Sequence, residues 1–280
     1  MKTSRRTLLT AAALAAFTPR LSEAQPTQEK PMTTHTYHDA ILHYRDNGKT
    51  DAPALLLLHG GLGSADDFAA LLPRLQTHYR LIAPDTRGHG RSTFGDVPLT
   101  YAQIADDTAQ LLHHLGIPQY SLFGFSDGGT AAYRLARDNP AVEKLITVGA
   151  SWQPESLKDM RELYAAINPA FLRENMGAKA AAYEAVNPEA NLDRLAEALK
   201  ALWLDDGDSG YPGASVSKIR APVLAIRGEG DFLFSMHELL ALHTPLPNAH
   251  LMNVPFAEHE AIADQPDLIW AALQAFRVCT

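Results

Sequence analysis

The pentad Gly124-Phe125-Ser126-Asp127-Gly128 lies between an apolar run over residues 120–123 and a stretch with helical apolar spacing. A chain that turns this abruptly from strand to helix brings the positions two before and two after the serine against neighbouring backbone, so both must lack a Cβ. Ser126 is therefore expected at a strand tip, with its hydroxyl pushed clear of the chain. G-x-S-x-G also recurs by chance, so its reading rests on what else the chain carries.

Four other segments fit the same picture. His59-Gly60-Gly61-Leu62-Gly63 follows the continuous apolar run Ala54–Leu58, the pattern of a strand buried on both faces. A glycine-rich loop there lets backbone N–H groups approach a developing oxyanion, and the expected donors are the amides of Gly61 and of Asp127, the residue after the serine. The second, residues 85–92, follows a strand-like run at 79–83 and is given no catalytic role; Arg87 and His89 are read as loop braces and His59 as a packing histidine. Asp231 ends Gly228-Glu229-Gly230-Asp231 after a strand-like run at 222–227, and His259 ends Phe256-Ala257-Glu258-His259 after another at 250–254. In a parallel sheet both would stand at the edge where Ser126 emerges. Serine is a poor nucleophile at neutral pH; it needs a histidine to take its proton and a carboxylate to fix the tautomer of that histidine.

With these elements in the order Ser126, Asp231, His259, the chain from about residue 34 onward resembles the α/β-hydrolase superfamily. The resemblance implies an α/β fold, a mostly parallel eight-stranded sheet with helices on both faces and a small helical cap inserted after the sixth strand. It also implies the catalytic triad Ser126, Asp231 and His259. The elbow Ser126-Asp127-Gly128-Gly129 is similar to that of the valacyclovir-hydrolase-like (biphenyl hydrolase-like) serine esterases, which would make the Asp127 carboxylate a partner for a cationic substrate group such as an α-amine. Each triad residue has a bland alternative: a turn serine, a helix N-cap aspartate, a helix-start histidine. Asp127 could equally be an acid in a first helical turn.

The expected reaction is hydrolysis of a carboxylic ester or related small acyl compound through an acyl-enzyme. Lactone, C–C bond or amide hydrolysis and perhydrolysis on the same triad are the alternatives, and a non-catalytic small-molecule binder is the reading from a different class. Serine at the elbow disfavours the dehalogenase and epoxide-hydrolase relatives, which hold aspartate there. No H-E-x-x-H or Cys/His spacing supports a metal, and no G-x-G-x-x-G after a first strand or G-x-x-x-x-G-K-[ST] supports a nucleotide cofactor, so no cofactor is expected.

Helical spacing at residues 64–75, 100–115, 127–139 and 261–276 alternates with strand-like runs, as in βαβ units. Residues 152–217 break that alternation with helix-like segments at 154–167, 169–186 and 188–202, each headed by a proline suited to a first turn, and are read as the cap. Trp152, Tyr164, Phe171, Met176, Tyr183 and Trp203 are its candidates for the substrate pocket, Trp152 foremost.

Ser4-Arg5-Arg6-Thr7-Leu8-Leu9 before an apolar stretch at 11–17 reads as a bacterial twin-arginine signal over residues 1–24, with a flexible leader at 25–33 and the folded domain at 34–280. The apolar stretch is too short to span a bilayer stably, which takes about 20 residues. The expectation is export of the folded chain by the twin-arginine machinery to the periplasm or outside the cell. Without Lys2, Arg5, Arg6, Arg20 and Glu23 the net charge moves from -8 to -11, which argues against nucleic acid or anionic membrane as partners. The single cysteine, Cys279, leaves no intramolecular disulfide framework and is read as a spectator thiol.

Overall fold

In the computed structural model the described residues run from Thr33 to Phe276. The signal reading, the leader up to residue 32, and Cys279 lie outside them, while Thr33 belongs to a strand and not to the leader. Eight strands form one sheet: β1 (Thr33–Tyr37), β2 (Ala40–Asp46), β3 (Ala54–Leu58), β4 (Arg80–Pro84), β5 (Tyr120–Phe125), β6 (Val142–Val148), β7 (Val223–Gly228) and β8 (His250–Val254). Their spatial order is β1-β2-β4-β3-β5-β6-β7-β8. β1 and β2 pair antiparallel, β2 pairs antiparallel with β4, and every pairing from β4 to β8 is parallel.

All five residues of β3 and all six of β5 are buried, as expected of central parallel strands covered on both faces. Successive side chains face opposite sides. Leu56 and Leu58 pack with α2 (Tyr101–His114), α3 (Asp127–Ala136) and α8 (Met236–Ala241), which carry Leu111, Ala132 and Leu239. Leu55 and Leu57 pack with α1 (Leu72–Leu75), α9 (Ala261–Asp264) and α10 (Pro266–Ala275), which carry Leu75, Ile262 and Leu273. Fully burying each such leucine contributes about 1.5–3 kcal/mol, so this double-sided core holds the sheet edge where the site is built.

Between β6 and β7 the chain forms α4 (Leu157–Ala165), α5 (Pro169–Asn175), α6 (Gly177–Val186) and α7 (Leu192–Leu204). Leu195, Leu199 and Leu202, at helical spacing on α7, are buried with Leu62, Phe94 and Tyr101 of the body in a third apolar cluster. In the cap, two helix expectations differ from the structure. The segment 169–186 breaks at Met176, whose backbone leaves the helical region (φ -133°, ψ 36°). Pro188 does not open the last helix; Asn191 does, its side chain accepting the Arg194 N–H at 2.9 Å, because a side-chain acceptor satisfies an orphan amide that proline leaves alone.

Candidate active site

The turn from β5 to α3 holds Ser126 at φ 51°, ψ -120°, a conformation costing on the order of 1–3 kcal/mol for a non-glycine residue. The elbow is pinned by the Ser126 N–H, which donates to the Val148 carbonyl at 2.8 Å. Any Cβ at Gly124 would come within 2.5 Å of the Gly128 carbonyl oxygen, and one at Gly128 would collide with the Leu58 carbonyl. Both glycines are thus required by backbone approach.

The loops after β7 and β8 carry the other two residues to this edge. His259 Nε2 lies 3.0 Å from Ser126 Oγ, and its Nδ1 lies 3.0 Å from each carboxylate oxygen of Asp231. With Nδ1–H donating to Asp231, Nε2 is left to accept the serine O–H. Asp231 is buried, and its Oδ1 also accepts the N–H groups of Leu233 and Phe234, at 3.0 Å each. Arg227, also buried, donates to the Asp231 and Phe234 carbonyls at 2.8 and 2.9 Å and so fixes the loop that aims the carboxylate. The structure therefore brings Ser126, Asp231 and His259 together.

Facing the serine, the loop after β3 turns through a Gly63 N–H to Gly60 carbonyl bond of 3.0 Å, and Asp67 Oδ2 accepts the Gly60 N–H at 3.0 Å. Among the described residues neither the Gly61 nor the Asp127 amide donates a hydrogen bond. Asp127 is the first residue of α3, where N–H groups have no intrahelical partner. His59 Nε2 accepts the Thr86 N–H at 2.9 Å, which ties the loops after β3 and β4 together. Arg87, fully buried, forms a two-pronged bond to Asp107 at 2.6 and 2.7 Å and donates to the Phe94 carbonyl at 2.8 Å.

Above Ser126 and His259 lies a cavity of about 320 Å³ between cap and sheet. Its walls are mostly apolar, with Tyr164, Phe171, Met176 and Trp203 from the cap and Phe232 and Leu233 from the loop after Asp231. Two of the cap candidates lie elsewhere. Trp152 is buried in the core, its backbone and indole N–H groups donating to Glu238 at 3.0 and 3.1 Å, and it does not line the cavity, which corrects its reading as a substrate residue. Tyr183 is buried too, its hydroxyl accepting the Asn191 N–H at 2.9 Å.

Asp127 lines the cavity, but its carboxylate is already engaged. Oδ1 accepts the Tyr101 hydroxyl at 2.8 Å, and the Trp203 indole N–H lies 2.9 and 2.8 Å from the two oxygens. Only 8% of the residue is exposed, and burial lifts its pKa above the ordinary carboxylate value despite the bonds donated to it. Through these bonds the carboxylate ties α3 and α2 to the cap helix α7 while it lines the cavity. Sequence reasoning missed Tyr101, whose partner Asp127 stands in a distant segment, and Lys179 and Glu260, which also line the cavity.

Residues 53–201 match the sequence profile described as the alpha/beta hydrolase fold. The chain belongs to the alpha/beta hydrolase family. A Haemophilus influenzae protein provisionally named an esterase/lipase is 25% identical over 243 residues, covering 81% of this chain and 83% of that one. The magnesium-chelatase 30 kDa subunit of Rhodobacter capsulatus is 38% identical over 112 residues, and this chain spans only 37% of its length. Among solved structures, a hydrolase from Pseudomonas aeruginosa PA01 superposes with a TM-score of 0.70 at 25% identity, over 89% of this chain and 99% of that one. Family and relatives together make this alpha/beta hydrolase an enzyme.

Proposed function

We propose that this alpha/beta hydrolase is a serine esterase acting on uncharged carboxylic esters with an apolar acyl or alcohol part. The observation that carries the reading is the continuous relay from Asp231 through His259 to Ser126 Oγ, with both links at 3.0 Å, opening onto the apolar cavity. Ser126 Oγ attacks the ester carbonyl while His259 Nε2 takes its proton, and the oxyanion is held by the Gly61 and Asp127 amides. His259 then gives the proton to the departing alcohol, leaving an acyl-Ser126. Water, deprotonated by His259 in its turn, releases the carboxylic acid and restores the serine.

The neutral substrate class follows from the charges in the wall. Lys179 has two carboxylate partners, Asp67 at 3.1 Å and Glu260 at 2.9 Å, and Asp127 has its tyrosine and indole donors. A charged substrate group would lose water in this cavity without gaining an unengaged counter-charge, a cost that apolar contacts do not offset. The test is hydrolysis of p-nitrophenyl acetate and butyrate by the purified protein and its Ser126→Ala variant. Turnover that collapses in the variant supports the reading; equal rates in both, or none in either, overturn it.

A further inference from the structure

Lys179, on cap helix α6, points down into the catalytic edge of the body. Its Nζ lies 3.1 Å from Asp67 Oδ1, 2.9 Å from Glu260 Oε1 and 5.4 Å from the centre of the Phe125 ring. Each contact leads to a reacting part of the site. Asp67, through its other oxygen, accepts the Gly60 N–H beside the candidate donor Gly61. Glu260 directly follows His259, and the Phe125 ring lies 5.2 Å from the His259 ring. Burial disfavours the ammonium, but Asp67 and Glu260 outweigh it and raise the pKa, so Lys179 stays charged. Its side chain is only 23% exposed and that of Asp67 only 10%, so this arm of the bridge is weakly screened, while the Glu260 carboxylate is 54% exposed and its arm is screened more by solvent.

We propose that Lys179 is a positioning residue that holds the oxyanion loop and the histidine loop in register by bridging Asp67 and Glu260 from the cap. This role rests on the esterase reading of the site but concerns a residue outside the triad and the oxyanion hole. Lys179→Met keeps most of the stem and removes the bridge, which among the described residues leaves Asp67 and Glu260 without a cationic partner. Both steps of ester hydrolysis need the oxyanion donors and His259 aligned, so misalignment appears in kcat and not in substrate affinity.

The experiment compares wild type, Lys179→Met, Lys179→Arg and, as a control on the cap surface, Lys200→Met, whose lysine pairs with Glu197 on the same helix α7. With p-nitrophenyl butyrate, Lys179→Met is expected to lower kcat at least tenfold while KM changes less than threefold. Lys179→Arg, which can still bridge two carboxylates, is expected to recover most of that loss, and Lys200→Met to match wild type. Hydrogen–deuterium exchange over residues 60–68 and 256–264 is expected to speed up in Lys179→Met and not in Lys200→Met. If Lys179→Met does not fold, Glu260→Gln, which cuts one arm of the bridge, is measured in its place with the same expected split. A kcat within twofold of wild type in an active enzyme, or unchanged exchange in both segments, overturns the proposal. Failure of the esterase reading has a different signature: wild type itself neither hydrolyses the ester nor takes a fluorophosphonate label at Ser126, and exchange then decides the bridge alone.

Discussion

Gly61→Ala isolates the oxyanion loop with a single methyl group. An ideal Cβ at Gly61 would lie 2.6 Å from Asp127 Oδ2 and 2.6 Å from Trp203 Cζ2, at least 0.8 Å inside the 3.4 Å where ordinary contact begins. Neither neighbour retreats freely. Asp127 is held by Tyr101 and Trp203, and the Trp203 ring packs against Tyr164 at 5.4 Å. The loop must therefore shift by several tenths of an ångström. An oxyanion donor works at about 2.7–3.1 Å, so such a shift removes most of its contribution, and losing one donor costs roughly 10²- to 10³-fold in kcat, about 2.7–4 kcal/mol. The overpacking itself should lower stability by about 1–3 kcal/mol, which thermal unfolding reads separately. The assay is steady-state hydrolysis of p-nitrophenyl butyrate, normalised to folded protein by circular dichroism. A kcat within threefold of wild type at an unchanged melting temperature would show that the Gly61 amide is not an oxyanion donor.

Asp231→Asn keeps an oxygen for the Leu233 and Phe234 amides but turns an NH₂ toward His259 Nδ1, which favours the wrong tautomer; kcat should fall about 10⁴-fold with the fold intact, measured by the same assay. Arg87→Met leaves Asp107 buried without its ion-pair partner and should cost about 3–5 kcal/mol in urea unfolding, against near-zero for a substitution of the exposed Arg161. His89 is fully buried beside His59, and burial pushes its pKa down from 6.5 to about 3, with Lys179 adding to the shift and Asp85 opposing it. The native state keeps His89 neutral while the unfolded chain takes up the proton below pH 6.5, so its stabilising contribution is complete above that pH and lost as pH falls toward 3. Between pH 6.5 and 4.5 the loss is about 2 kcal/mol, and His89→Gln should remove that part of the pH dependence in urea melts; an identical slope in the variant would contradict it.

The central strands and the three candidate catalytic residues were legible because their signals are local. Continuous apolar runs mark β3, β5 and β7, and Ser126 and Asp231 sit within a few positions of the ends of β5 and β7, while His259 follows the shorter and more exposed β8. The β1–β2 hairpin carried no comparable signal. Its two-residue turn, His38-Asp39, takes positive φ at both positions without the Asn-Gly or Asp-Gly pair that usually announces that turn. Trp152 and Trp203 look alike in the sequence, an aromatic at either end of the cap. Which of them faces the cavity is decided by partners in distant segments: Glu238 draws Trp152 into the core, and Asp127 draws Trp203 to the site.

Those distant partners also explain why the cap cannot be treated as a specificity element added to an independent catalytic body. Two of its helices end on residues next to the reacting atoms. Helix α7 reaches Asp127, the residue after the serine, through Trp203, and helix α6 reaches Asp67 and Glu260 through Lys179. Phe171 and Met176, on neighbouring segments of the cap, line the cavity and make none of these hydrogen bonds or ion pairs, whereas Tyr164 packs on the Trp203 ring. Substitutions at Phe171 and Met176 should therefore change which esters are accepted with little effect on the rate of a small one such as p-nitrophenyl acetate. Substitutions at Trp203 or Lys179 should lower the rate for every ester, because they disturb the loops that carry the chemistry and not only the space above them.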